Sequence, residues 1–465
     1  MSWVAVCAGL MAAALGCCSG SAAYAQQPVG DTASKARAPD GRYIAWREHI
    51  IDERADDGQP LSGGDGLAMA DLDLDGQQDI VSVHESDVRY DGAPDGFVRI
   101  AFRTGDPDRW VNVTLASGTE AGAPEDVSLG DLNGDGYPDV LVAAELAHLI
   151  YFENPGKGAR TQPWRRLIVP GTKGRGSFIR VFMADYDGDG RLEASAANKV
   201  EQNPTPKTPS GPISVFKVVG PPLEGASWRE VELGTYGVPQ NAMPVDIDAD
   251  GDIDIVGGAR VGPRLIIFRN ERGRFTPIEM QSEGGKPGGF NLAFHDFNAD
   301  GRLDIVAEHS RRRLGWYAQP QTLGGVWHFN PIGAFEPDFI TGIALADIDG
   351  DGDMDAISGG YSDMPRDRDG DLPVTAAMGR LTWFENPGVA TGKWLQHDIS
   401  RRRRGMFDAF VARDIDGDGD MDFVGTRGNS EPYDGVYWLE QVRSTVPLPA
   451  FTRGRPSDSA EFPLP

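Results

Sequence analysis

Seven stretches of nine residues carry the chemistry most plainly. They read DLDLDGQQD, DLNGDGYPD, DYDGDGRLE, DIDADGDID, DFNADGRLD, DIDGDGDMD and again DIDGDGDMD. Each has side-chain oxygens at positions one, three, five and nine and glycine at six. The oxygen donors are Asp71, Asp73, Asp75 and Asp79; Asp131, Asn133, Asp135 and Asp139; Asp185, Asp187, Asp189 and Glu193; Asp246, Asp248, Asp250 and Asp254; Asp296, Asn298, Asp300 and Asp304; Asp347, Asp349, Asp351 and Asp355; and Asp414, Asp416, Asp418 and Asp422. Oxygens on alternate residues can wrap a hard cation, and glycine permits the sharp turn. Carboxylates this close repel one another without a cation. The expected occupants are structural calcium ions, up to seven, with Glu193 the weakest fit because its side chain is longer. An EF-hand would need an acid at loop position twelve, where Ser82 and Val142 stand.

These loops need elements to present them. Their first residues are spaced by 60, 54, 61, 50, 51 and 67, a period that indicates an array or propeller. The second repeat shows the division. VSLGD (127–131) enters the loop, and PDVLVAAE (138–145), HLIYFENPG (148–156) and PWRRLIV (163–169) follow it. Those are four short strands, A to D, hence one propeller blade. The D strands open on Trp110, Trp164, Trp228, Trp327 and Trp394, expected to pack between blades; RFTPIEM (274–280) serves the fourth repeat. The seventh repeat has no D strand, but YIAWREHII (43–51) has that pattern and precedes every A strand. The expectation is an all-β, seven-bladed β-propeller of four-stranded blades over 43–442, the N-terminal strand completing the last blade. Residues 26–42 and 443–465 read as flexible ends.

Composition agrees. The 60 Gly and 33 Pro among 465 residues favour turns over long helices. A net charge of −26 argues against nucleic-acid binding. Seven calcium ions would reduce it to about −12. Residues 1–25 are uncharged and apolar, with Ala23-Tyr24-Ala25 before Gln26, as in a signal peptide. Export to the periplasm or beyond is expected, with lipoprotein anchoring at Cys17 the alternative. All three cysteines lie in that segment, so no disulfide is expected in the mature chain. Neither is a transmembrane span, and the protein is expected to be a monomer.

Recognition is expected on the face opposite the acidic loops. Polar residues recur where strand B ends: His84, Glu85, Glu145, Lys199, Arg260, Glu308, His309, Tyr361 and Arg427. Asp126, Arg180, Asn241 and Asn291 each stand five residues before a loop, near the start of strand A. If the strands align, these form either a solvated rim or one ligand site at the channel mouth. Long connections surround it, at 84–96, 198–211, 359–380 and 427–435. His84, His309 and Tyr361, with Arg260 and Arg427, could supply acid–base groups and cations for a uronate lyase. Arg401–Arg404 read as a solvated link, and DRDGD (367–371) as a polar loop.

The loops and blades together resemble the VCBS and FG-GAP repeat proteins, over nearly all of the mature chain. The resemblance implies the fold and calcium, not one activity. The strand ending WFENPG is also similar to the aldos-2-ulose dehydratases, whose cupin domains are missing here. A glycan or extracellular protein is the expected ligand. A lyase or sugar dehydratase is the enzymatic alternative.

Overall fold

The computed structural model describes residues 26–85, 95–146, 148–261, 264–362, 372–390 and 392–465. Residues 1–25, most of the 84–96 connection and DRDGD lie outside them.

Seven antiparallel sheets form the ring, each with strands A, B, C and D side by side. In blade 2 they are Pro124–Gly130, Asp139–Ala144, Leu149–Glu153 and Arg165–Ile168. Blade 7 takes A to C from Phe410–Arg413, Asp422–Arg427 and Gly435–Ser444, and D from Tyr43–Asp52. Tyr43 lies opposite Ser444 and Trp46 opposite Gln441, so the N-terminal strand closes the ring as expected. Closure leaves no blade without its neighbour.

Strand B is apolar because blades cover both its faces. In DVLVAA all six residues are buried. The tryptophans that open strand D sit between blades: Trp164 packs with Leu72, Val81 and Phe102 of blade 1, and Trp327 with Ile247 and Val256 of blade 4. A strands of adjacent blades meet around the axis. Strand A of blade 5 also comes close enough to strand B of blade 4 to require glycine. A Cβ on Gly289 would lie 2.5 Å from the Gly258 Cα.

The two ends read as flexible are instead packed on the ring. Phe451–Thr452 adds a fifth, parallel strand beside Tyr43–Asp52, and Phe451 joins Ala36, Ala38 and Trp46 in one apolar cluster. The Ser34 amide donates to the Leu448 carbonyl at 2.8 Å. Charge holds the rest. Asp458 and Glu461 supply buried carboxylates to the arginines read as a solvated link. Arg402 donates to Asp458 at 3.1 Å and to Glu48 at 2.9 Å; Arg401 donates to Asp338 at 2.8 Å. Buried guanidiniums need such partners, so the polar tail becomes a strap across blades 6 and 7.

Candidate functional site

Each acidic loop joins strand A to strand B and is wound by its own side chains. Asp347 Oδ1 accepts from the Gly350 and Asp351 amides at 2.9 and 3.0 Å, and its Oδ2 from Gly352 at 3.0 Å. The ninth carboxylate is a buried staple. Asp355 accepts from the Ile348 amide at 2.9 Å and from Asn386, beyond strand C, at 2.7 Å. Asp79, Asp139, Asp254, Asp304 and Asp422 repeat both bonds; Glu193 makes the first, from Tyr186.

The donor sets fit a hard divalent cation. Carboxylate oxygens of Asp71, Asp73 and Asp79 lie within 4.8 Å of one another, as do those of Asp185, Asp187 and Glu193, of Asp246, Asp248 and Asp250, and of Asp347, Asp349 and Asp351. One oxygen each of Asp73, Asp187 and Asp248 is buried and accepts no hydrogen bond. Burial, with neighbouring loop carboxylates, pushes Asp79 up to about 7 and Asp355 to about 8. Basic side chains offset part of this charge in some loops. Arg160 bridges Asp73 and Asp75, Arg269 bridges Asp248 and Asp250, and Lys217 meets Asp187.

On the opposite face, the ends of strand B in blades 2 to 6 converge. Glu145, Lys199, Arg260, Glu308 and Tyr361, one from each of five consecutive blades, line a single cavity of about 570 Å³. Lys199 pairs with Glu145, both buried. With the Gln240 amide oriented to match its donors, its oxygen accepts from Arg260 Nε and Nη2 at 3.2 and 3.1 Å. Glu308 lies against the backbone of strand A, where a Cβ on Gly288 would fall 2.1 Å from its Cγ. Burial pushes its carboxyl up to about 7. Glu125, Arg311, Phe290 and Phe339 also line the cavity. The register of strand B could not locate them, because they sit on strand A or in a turn.

The other residues expected at the mouth are placed elsewhere. His84 does not line the cavity: it is fully buried against Ser82 Oγ at 3.0 Å, and burial, helped by Arg99, lowers it to about 3. His309 faces Tyr317 Oη at 3.0 Å and stacks on Phe329. Glu85 is buried and accepts from Gln202 at 2.9 Å. Arg427 is covered by the strap and donates to Asp458 at 2.7 and 2.8 Å.

Three of the four strand-A residues do meet. Arg180 donates to Asn291 at 3.0 Å and Asp408 at 3.1 Å, and lies 3.7 Å from Asp126. Blades 2, 3, 5 and 7 are thereby tied across the axis. Asn241 instead donates to the Phe290 carbonyl at 3.0 Å. Asp408 stands six residues before its loop rather than five, so the spacing rule passes over it.

Comparison with known proteins follows the loops. The model of the FG-GAP-like repeat family matches residues 71–142, 131–194 and 246–307. Each match begins on the first aspartate of a loop. Human integrin alpha-6 is 32% identical over 128 residues, 26% of this chain and 11% of that protein. The chain thus spans about a tenth of that relative's length. Among solved structures, YCF48 from Cyanidioschyzon merolae aligns at a TM-score of 0.49 and 12% identity, covering 85% of this chain and 98% of its own. An Agrocybe aegerita lectin, described as recognising non-reducing terminal N-acetylglucosamine, aligns at 0.44 and 14%, covering 75% and 83%. The chain is thus a seven-bladed β-propeller that carries FG-GAP-like repeats over 71–194 and 246–307, the family matches starting at the first, second and fourth of its seven acidic loops.

Proposed function

We propose that this protein is an exported, calcium-stabilised propeller that binds a carbohydrate or protein ligand at its channel mouth. The observation that carries the reading is the cavity shared by the strand-B ends of five blades. A rigid ring holds the site, and the cations brace the far ends of the same strands. The acidic loops and their unpartnered third-position oxygens support calcium as the bracing ion. Residues 1–25 support export. Among the described residues, no helix is long and apolar enough to cross a membrane.

Binding without turnover is preferred to lyase chemistry. That chemistry needed His84 and His309 at one substrate with Tyr361, and neither histidine lines the cavity. The test is capture of labelled protein on glycan and extracellular-protein panels, in calcium, with Tyr361→Ala as the comparison. Loss of capture in the variant supports the site. Equal capture places recognition elsewhere.

A further inference from the structure

The cavity walls differ in character, and one of them specifies a ligand. Arg260 and Arg311 are both exposed at the mouth, on blades 4 and 5. Among the described residues, neither makes an ion pair with a carboxylate, in a chain with 70 acidic residues. Arg260 is steadied by Gln240. Arg311 lies 4.3 Å above the centre of the Phe339 ring, which orients its guanidinium plane. The turn that carries it holds Ser310 and Arg311 at φ of 60° and 65°. That conformation is unfavourable for residues with side chains, and such strain gathers at binding sites. Phe290, Phe339 and Tyr361 line the same cavity.

Resting on the cavity as the binding site, we infer that its ligand is an acidic saccharide unit. Its carboxylate is held by Arg260 and Arg311, and its ring lies against Tyr361. An arginine fork matches a carboxylate, and aromatic faces cover the apolar side of a sugar ring. Glu308, on the same wall, accepts from sugar hydroxyls. The size also selects the class. About 570 Å³ suits a small-molecule-sized group, whereas a folded protein partner needs a broad patch.

The experiment is calorimetric titration of the full chain, at fixed free calcium, with short oligomers of galacturonate, glucuronate and mannuronate. Neutral oligomers of equal length and an acidic peptide serve as comparisons. The expected result is that at least one uronate binds, its neutral counterpart binds about tenfold more weakly or worse, and Arg260→Gln and Arg311→Gln each weaken the uronate about tenfold or more. Both arginines are exposed, so circular dichroism melts of the variants should match the parent; Arg260→Lys, which keeps the charge, should recover part of the loss. If neutral and acidic sugars bind alike and only Tyr361→Ala loses them, the cavity stands and the acidic class falls. If a uronate binds equally to Arg260→Gln, Arg311→Gln and Tyr361→Ala, the cavity itself is wrong. Arginine-dependent binding of the peptide alone, or no binding of any uronate, also overturns the inference.

Discussion

Replacing Asp458 by alanine tests whether the C-terminal strap is part of the folded ring. Its carboxylate is fully buried and receives three hydrogen bonds from arginines, two from Arg427 at 2.7 and 2.8 Å and one from Arg402 at 3.1 Å, besides one from the Ser459 amide. In the variant, Arg402 keeps Glu48. Arg427 retains Ser459 and the Arg404 carbonyl but no carboxylate. Removing one partner of a buried ion pair costs about 3–5 kcal/mol, because the other charge stays buried. Urea unfolding followed by tryptophan fluorescence, in calcium, should show that loss. Adding Arg427→Met should restore most of it by removing the stranded charge. The acid limb gives a second reading. Burial alone would raise the Asp458 carboxyl, but Arg427 and Arg402 hold it well below the usual range. A depressed carboxylate stabilises the fold above its unfolded pKa of about 3.9 and loses that contribution as pH falls further. The stability gap between wild type and Asp458→Asn should therefore be constant above about pH 5 and shrink below about pH 4. A loss under about 1 kcal/mol for Asp458→Ala, typical of a surface pair, would refute the reasoning.

Chelation with EGTA should lower the melting temperature, and calcium at about 100 times its dissociation constant should restore about 2.7 kcal/mol per independent site; an unchanged melt refutes the bracing role. Arg160→Gln should tighten calcium at the first loop, because Arg160 now occupies Asp73 and Asp75; titration showing weaker binding would be the contrary result. Glu308→Gln should stabilise the protein more at about pH 8 than at about pH 5, since burial raises this carboxyl to about 7 and its ionised form is the costly one; denaturant midpoints at the two pH values measure this. Arg180→Met should destabilise by about 3 kcal/mol or more by leaving Asp408 and Asp126 buried without their cation, read again by urea unfolding.

Repetition made the fold legible. Loop glycines, alternating acids and strand-opening tryptophans are local signals that return every 50 to 67 residues, so each copy checks the others. The displaced D strand was visible as Trp46 arriving before any A strand. The site was only partly legible. Spacing grouped Glu145, Lys199, Arg260, Glu308 and Tyr361, which line one cavity, because strand register repeats with the blade. It also offered His84, which is fully buried beside Ser82, and Arg427, which the C-terminal strap covers.

What the chain's linear order determined, then, was periodic: the number of blades, the acidic loops, and the strand that closes the ring. Tertiary structure decided whatever depends on contacts without a period. Asp458 reaches back to Arg402 and Arg427, Arg180 crosses the axis to Asp408, and Arg311 settles on Phe339. A polar tail looks the same in sequence whether it is solvated or serves as the counter-ion of a buried arginine. Only the fold brings the opposite charge to it and excludes the water.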